Sequence, residues 1–147
     1  MKYQIRPMLE SDIQDVINGE KEIFGESLGE DFLLQELKIN PFSYYFVLEI
    51  DEHIEGYMGT WINENAEILN FYVSKEFQNM GFGSLMLDFF INLCLSVHVK
   101  SLTLEVRESN IKAIELYKKY DLKEVSIRKN YYSNGDNALL MERKFEE

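Results

Sequence analysis

The stretch from residue 68 to residue 87, ILNFYVSKEFQNMGFGSLML, decides the fold of this chain. It opens as an apolar strand, with aromatic and β-branched residues typical of strands. Its two faces are expected to alternate, with Leu69, Phe71 and Val73 on one side and Asn70 and Tyr72 on the other. A short charged turn follows, and two glycines then precede a long apolar run. The stretch therefore predicts a strand, a glycine-containing loop and a helix.

The loop between this strand and the helix is a candidate phosphate-binding site. A helix N-terminus has free backbone N–H groups and a partial positive charge, which together favour an anion. Gly81 and Gly83 leave no Cβ atom between the backbone and an approaching pyrophosphate. A tight turn without a ligand is the alternative. The dinucleotide and Walker patterns are both absent, so the remaining motif is Gln-x-x-Gly-x-Gly, which begins at Gln78.

Composition limits the classes of protein to which the chain can belong. Its 147 residues suit a single domain, residues 1–147, with a core of its own. The net charge of −11 argues against nucleic acid as a direct partner and favours a basic one. Cys94 is the only cysteine, and neither a signal sequence nor a membrane-length apolar stretch is present. We therefore expect a cytoplasmic protein without disulfides. Its two histidines lack partners at metal-ligand spacing, so no metal site is predicted.

The order of the remaining elements predicts an α/β fold. A first strand ending at Pro7 precedes two helices, and in the first of these Glu20, Lys21 and Glu22 are expected to face solvent. Three strands joined by short turns then imply an antiparallel meander. The helix after Gly81 leads into a further strand, which implies a right-handed parallel crossover. With a last helix and a hairpin, the prediction is a mixed sheet, antiparallel early and parallel in the middle, flanked by about four helices.

Three side chains in and after the predicted parallel strand are candidates for a chemical role. Glu105 lies on the face opposite the strand's leucines, where it is either a general base or a carboxylate paired with Arg107 or a lysine. Tyr117 is either a general acid or an ordinary packing tyrosine. Asn110 is either a helix N-cap or an amide that binds a cofactor.

Several motifs together resemble one branch of a known family. The block Leu104-Glu105-Val106-Arg107-x-Ser109-Asn110-x-x-Ala113-x-x-Leu116-Tyr117 is similar to the signature of RimI-type GNAT acetyltransferases. Segment 128–132, RKNYY, resembles that group's C-terminal segment, and Gln-x-x-Gly-x-Gly resembles the acetyl-CoA loop of the whole superfamily. The resemblance implies a GNAT fold and direct transfer of an acetyl group from acetyl-CoA to an amine, without an acyl-enzyme.

The resemblance also implies roles for individual residues. Glu105 is the implied catalytic base and Tyr117 the implied acid, while Tyr131 and Tyr132 are implied to contact the acceptor. The residues implied to hold acetyl-CoA are Phe71, Tyr72, Val73, Gln78, Asn79, Met80, Gly81, Phe82, Gly83, Ser84 and Asn110.

The predicted acceptor is the N-terminal α-amine of a basic protein, a ribosomal protein in the RimI-type group. The predicted enzyme is a cytoplasmic monomer or weak homodimer that uses no metal and binds no membrane. A small-molecule amine such as a polyamine is an alternative acceptor, which an acidic enzyme would also suit. A non-catalytic module that binds acyl-CoA or a partner protein is an alternative of another class.

Overall fold

A computed structural model describes residues 1–145 of the chain. This part contains seven strands and four α-helices, in the order that the sequence predicts. None of these helices is long and apolar enough to cross a membrane. The elements are β1 Tyr3–Pro7, α1 Ile13–Phe24, α2 Glu30–Lys38, β2 Ser43–Ile50, β3 His53–Ile62, β4 Ala66–Val73, α3 Phe82–Ser96, β5 Ser101–Arg107, α4 Ile111–Lys119, β6 Lys123–Arg128 and β7 Ala138–Lys144.

The seven strands form one mixed sheet in the order β1-β2-β3-β4-β5-β7-β6. Strands β2 to β4 form the predicted antiparallel meander, and β1 pairs antiparallel with β2 at the edge of the sheet. The pair β4–β5 is parallel, and α3 makes the crossover between its two strands. Strand β7 enters between β5 and β6 and is antiparallel to both. The predicted mixed α/β architecture with four flanking helices is confirmed.

Apolar side chains form a core on each side of the sheet. Alternate residues of β2 enter opposite cores, because successive strand side chains point to opposite faces. Phe46 and Leu48 pack with the buried side chains of α3 and α4, while Tyr45 and Val47 pack with those of α1 and α2. Helices α3 and α4 therefore cover one face of the sheet, and helices α1 and α2 cover the other.

A β-bulge interrupts the pairing of β3 with β4 at Leu69. Thr60 pairs with Ile68 and the preceding Gly59 pairs with Asn70, so Leu69 has no opposite residue. Leu69 consequently packs with the α1–α2 core, whereas Phe71 packs with the α3–α4 core. The predicted alternation, which placed these two side chains on one face, is wrong because it assumed a regular strand.

Glu20 on α1 is fully buried, so the prediction that it faces solvent is wrong. It lies three residues after Ile17 and four after Val16, which places all three on the same helical face. Helical spacing alone therefore indicated its burial. The charge is tolerated there because hydrogen-bond donors from the following loop and from β4 surround the carboxylate.

Candidate active site

An opening between β4 and β5 begins immediately after the bulge. The parallel ladder joins only residues 66–68 to residues 102–104, ending at the pair Ile68 and Leu104. Beyond that pair, β4 remains bonded to β3, and β5 remains bonded to β7. The facing edges of residues 69–73 and 105–107 thus share no pairing across the gap. An extended, amide-rich ligand can bind unpaired strand edges of this kind.

The N-terminus of α3 lies just beyond the end of β4. Its first backbone hydrogen bond runs from the Leu85 N–H to the Gly81 carbonyl. The amides of the first three helical residues, Phe82 to Ser84, therefore have no acceptor within the helix. Gly81, the residue before them, has a φ of 87° and no neighbouring heavy atom within 4 Å of an added Cβ, so open space lies beside Gly81. This arrangement suits a phosphate group.

Gln78, the first residue of the loop motif, is attached to the strand. Its Nε2 donates to the Val73 carbonyl at 2.9 Å. Tyr120, the residue that directly follows α4, also contacts this region, since its hydroxyl donates to the Ser84 carbonyl at 3.1 Å. These two bonds hold the loop between the end of β4 and helix α4.

Glu105 lies one residue beyond the last β4–β5 pair. Its side chain is 25% exposed and points away from the core face that Leu104 and Val106 occupy. Arg128 is its ion-pair partner, with Nε 3.3 Å from Oε2. The sequence left open a pairing of Glu105 with Arg107 or a lysine. The carboxylate is paired, but its partner is Arg128, so the predicted partner is wrong. Glu105 is a partly exposed carboxylate at the start of the opening.

Tyr117 is buried in the α3–α4 core, with 7% of its surface exposed. Burial, followed by the nearby Tyr132, raises the pKa of the Tyr117 phenol above its ordinary value. The hydroxyl consequently keeps its proton throughout the neutral range. The packing role that the sequence proposed is confirmed, and the role of general acid stays a prediction.

Asn110 caps α4 through its side chain. Its Oδ1 accepts a hydrogen bond from the Ala113 N–H at 3.2 Å, which confirms the N-cap interpretation. Within residues 1–145, no acceptor is found for its Nδ2 group. The cap uses the side-chain oxygen of Asn110. Its amide nitrogen can still donate to a ligand, so the two predicted roles of Asn110 are compatible.

The tyrosines of segment 128–132 lie beside Glu105. The guanidinium of Arg128 is 4.7 Å from the centre of the Tyr131 ring, and that of Arg107 is 4.0 Å from the centre of the Tyr132 ring. The two rings meet edge to face, 5.1 Å apart. Arg107 also lies 3.4 Å from Asp136, which fixes the loop before β7 to the end of β5.

The side chains of the predicted cofactor strand are mostly covered. Tyr72 packs in the α1–α2 core and Val73 in the α3–α4 core, whereas Phe71 is partly exposed. Met80 on the loop is half exposed, and Phe82 at the start of α3 is buried against Phe77. A ligand in the opening would therefore meet the backbone of Tyr72 and Val73 rather than their side chains.

Comparison with known proteins agrees with this geometry. Residues 11–121 match the sequence profile of the Acetyltransferase (GNAT) family. The chain belongs to this family. It is 37% identical over 142 residues to a Bacillus subtilis protein provisionally named a ribosomal protein bS18-alanine N-acetyltransferase, covering 95% of this chain and 94% of that protein. It is 27% identical over 154 residues to an N-alpha-acetyltransferase of Sulfurisphaera tokodaii, covering 95% and 92% of the two chains.

A solved relative has the same architecture. The crystal structure of Ard1 from Thermoplasma volcanium superimposes with a TM-score of 0.90 at 31% identity, and the match covers all of both chains. The resemblance to RimI-type GNAT acetyltransferases is therefore confirmed.

As a GNAT acetyltransferase, the chain uses acetyl-CoA as its acetyl donor. The residues present fit this molecule, because open space and three amides at the start of α3 suit its pyrophosphate. The unpaired edges of β4 and β5 suit the amide-containing arm that carries the thioester. The contacts of individual residues with acetyl-CoA and the roles of Glu105 and Tyr117 stay predictions.

Sequence reasoning missed two buried glutamates on helices α1 and α2. Glu20 accepts hydrogen bonds from Ser27 Oγ at 2.7 Å, from the Leu28 N–H at 3.3 Å and from Asn70 Nδ2. Because Asn70 directly follows the bulge, Glu20 connects the loop after α1 to the start of the opening.

Glu36 on α2 is the second, and it accepts hydrogen bonds from the Tyr45 hydroxyl at 2.7 Å and from Trp61 Nε1. Glu36 follows the buried Leu33 by three residues, so helical spacing again indicated its burial. Glu67, the third acidic residue that sequence reasoning passed over, lies on β4 close to the opening.

Proposed function

We propose that this acetyltransferase transfers an acetyl group from acetyl-CoA to the N-terminal α-amine of a protein, most simply a ribosomal protein. The observation that supports it best is the position of Glu105, at the point where β4 and β5 separate. A carboxylate there lies beside the expected thioester and also reaches the surface from which an amine would arrive. The names of the two relatives, one of which refers to alanine in bS18 and one to N-alpha acetylation, support the same class of acceptor.

The chemistry needs a proton acceptor and a proton donor. In this proposal Glu105 accepts a proton from the acceptor's ammonium group, directly or through a water molecule. The neutral amine attacks the thioester carbonyl, the N–C bond forms, and the C–S bond breaks. Tyr117 gives its proton to the departing thiolate and is reprotonated by the second proton, which the acylated nitrogen loses as the amide forms. Glu105 later releases its proton to solvent. No covalent enzyme intermediate is required.

The acid–base properties of the acceptor favour an α-amine. An α-amine has a pKa of about 7.7–8.0, whereas a lysine amine has a pKa of about 10.4. A single carboxylate can therefore deprotonate an α-amine near neutral pH, and the free-energy cost is much lower than for a lysine amine. The net charge of −11 would attract a basic N-terminal segment, and we propose that the protein meets such a segment in the cytoplasm.

The proposal is tested by the release of CoA from acetyl-CoA, measured with a thiol reagent. The acceptors are a basic hexapeptide with an N-terminal alanine, Ala-Arg-Gly-Arg-Gly-Arg, its N-terminally blocked copy, and spermidine. We expect turnover with the free peptide alone. Turnover with spermidine but not with the peptide would replace the proposal with a small-molecule acetyltransferase.

A pair of variants then tests the role of Glu105. Glu105→Gln keeps the shape of the side chain, and we expect kcat to fall by a factor of about 10² or more while CoA affinity stays the same. Glu52→Gln removes the same charge from the exposed β2–β3 turn and should leave kcat unchanged. Wild-type rates in both variants would exclude Glu105 as the base.

A further inference from the structure

One buried carboxylate joins the loop after α1 to the strand beside the opening. Glu20 Oε1 accepts hydrogen bonds from Ser27 Oγ at 2.7 Å and from the Leu28 N–H at 3.3 Å. Its other oxygen, Oε2, accepts a hydrogen bond from Asn70 Nδ2. Glu20 is fully buried, and its two oxygens therefore hold together two segments that lie far apart in the chain.

The loop between α1 and α2, residues 25–29, is organised around this carboxylate. The Ser27 hydroxyl donates to Glu20 and accepts in turn from the Gly29 N–H at 3.0 Å. Gly29 is the N-cap of α2, so Glu20 is connected to the start of that helix through one hydroxyl group. Leu28 is held by its backbone, while its side chain is 42% exposed. Glu20 thus fixes the place of an exposed apolar side chain.

On the strand, the same carboxylate fixes the backbone directly after the bulge. Asn70 follows Leu69, the residue without an opposite partner on β3. The Nδ2 group of Asn70 faces Glu20, and its Oδ1 accepts from the Phe71 N–H at 3.2 Å. Because a carboxylate accepts hydrogen bonds and cannot donate them, Glu20 dictates which end of the Asn70 amide faces Phe71.

Asn70 and Glu105 lie on the same side of the sheet, across the opening from each other. The Asn70 side chain points towards α1, where it meets Glu20. The Glu105 side chain points away from the opposite core, which Leu104 and Val106 occupy. On β4, Asn70 is two positions beyond the last β4–β5 pair, and on β5, Glu105 is one position beyond it. The segments that Glu20 holds therefore border the place where the proposed base would meet the acceptor amine.

We propose that Glu20 is a positioning residue for acetyl transfer, which holds loop 25–29 and the bulge of β4 at a fixed separation and thereby shapes the entry of the acceptor. This inference rests on the proposed function. Glu20 is fully buried, so it acts through Ser27, Leu28 and Asn70 rather than by touching the acceptor. Small displacements of the groups that orient a substrate lower the rate strongly. Loss of the Glu20 bonds should therefore impair use of the acceptor.

The Glu20–Asn70 pair allows an isosteric exchange. In Glu20→Gln the new amide nitrogen meets the Asn70 Nδ2 group, so two donors face each other. In Asn70→Asp two carboxylates face each other and repel. The double variant restores the bond, because the new amide donates to the new carboxylate. The second oxygen of that carboxylate can still accept from the Phe71 N–H, and the net charge is that of the wild type.

Glu36→Gln is the matched control for a loss of stability. Glu36 is a second buried glutamate, and its donors Tyr45 and Trp61 lie on β2 and β3 rather than on loop 25–29 or the bulge. Steady-state kinetics with acetyl-CoA and Ala-Arg-Gly-Arg-Gly-Arg give kcat and KM for each protein. Calorimetry gives the dissociation constant of CoA, and thermal unfolding gives Tm. The kinetic assays are run well below the lowest Tm.

We expect kcat/KM for the peptide to fall by about tenfold or more in Glu20→Gln, and further in Asn70→Asp. The double variant should recover to within about threefold of the wild type, because the two substitutions compensate each other. Glu36→Gln should lower Tm and keep kcat/KM near the wild-type value. CoA affinity should be equal in all five proteins, since the loop before α3 has its own attachments through Gln78 and Tyr120.

Three results would overturn the inference and leave the proposed function intact. The first is a wild-type kcat/KM in Glu20→Gln. The second is an equal loss in Glu20→Gln and Glu36→Gln, which would assign the effect to stability. The third is a double variant no better than Asn70→Asp, a comparison that also decides the matter if Glu20→Gln does not fold.

Failure of the proposed function gives a different result. A wild type that acetylates spermidine but not the peptide would overturn the proposed function alone, and the same ratios of kcat/KM, measured with spermidine, would then decide the role of Glu20. A wild type that acetylates neither would overturn both.

Discussion

Arg128 and Glu105 form an ion pair at the start of the opening between β4 and β5, with 3.3 Å between Nε and Oε2. The arginine side chain is 61% exposed, so it reaches the carboxylate from the solvent side. In the proposed reaction, an acceptor ammonium group approaches the same carboxylate. We therefore expect Arg128 to compete with the acceptor, and the strength of this competition can be measured.

The first prediction concerns this competition. Arg128→Gln should lower KM for the peptide by a factor of about 2 to 5, the range expected for an exposed ion pair. Steady-state kinetics at fixed acetyl-CoA measure it, with Lys129→Gln as a control that removes a neighbouring exposed charge. A rise in KM would show instead that Arg128 positions Glu105.

The second prediction concerns Tyr117. Tyr117→Phe should lower kcat by a factor of about 10² because the departing thiolate loses its proton donor, and CoA affinity should not change. Since burial raises the pKa of this phenol, its ionisation should not reduce the wild-type rate below pH 10. Tyr44→Phe is the control, a partly buried tyrosine on β2. Equal rates for Tyr117→Phe and the wild type would assign Tyr117 to packing alone.

The third prediction concerns the loop before α3. Gly81→Ala should cost about 1–2 kcal/mol of stability, because the left-handed backbone at φ 87° disfavours a Cβ. It should also weaken CoA binding, since the amides of Phe82 to Ser84 would shift. Gly25→Ala, at φ 83° after α1, should cost similar stability without affecting CoA affinity. Equal CoA affinity in both variants would contradict an anion-binding role for the loop.

The fourth prediction concerns the buried Glu20. Glu20→Ala leaves the Leu28 N–H and the Asn70 amide without their acceptor, which should cost about 2–3 kcal/mol. For a chain of this size, Tm should fall by roughly 5–10 °C in a thermal unfolding experiment. Glu22→Ala, on the exposed side of the same helix, should be nearly neutral. A similar small effect for both variants would show that the network around Glu20 adds no stability.

The fifth prediction concerns pH. Because the folded state raises the pKa of Glu67 above 4.5, the folded chain binds this proton more tightly than the unfolded chain. The resulting stability is present at low pH and is lost as pH rises through the folded pKa. Glu67→Gln resembles the protonated form, so its free energy of unfolding should increase relative to the wild type between pH 5 and pH 7. Urea unfolding at three pH values measures this, and parallel curves would contradict it.

The elements themselves were predictable because their signals are local. The meander from β2 to β4 follows from alternating strands and short turns, and the parallel crossover follows from the strand, helix and strand order around Gly81. The Asn110 cap was likewise visible, because a cap and its acceptor lie within one helical turn.

The buried carboxylates were less accessible from sequence. Glu20 and Glu36 lie at helical spacing from apolar residues, yet charge alone suggested exposure. Their burial depends on donors from distant segments, such as the Asn70 amide for Glu20 and Trp61 for Glu36. No local pattern shows that such donors will be present.

The sequence by itself determined the order of elements, the loop before α3 and the presence of Glu105 and Tyr117 in a family motif. Tertiary structure decided the bulge at Leu69, the pairing of Glu105 with Arg128 and the place of Glu67 across from Glu105. The physical reason is that periodicity acts along a few neighbouring residues, whereas strand register and crossovers bring together residues far apart in the chain. The electrostatics of the site belong to this second kind of information.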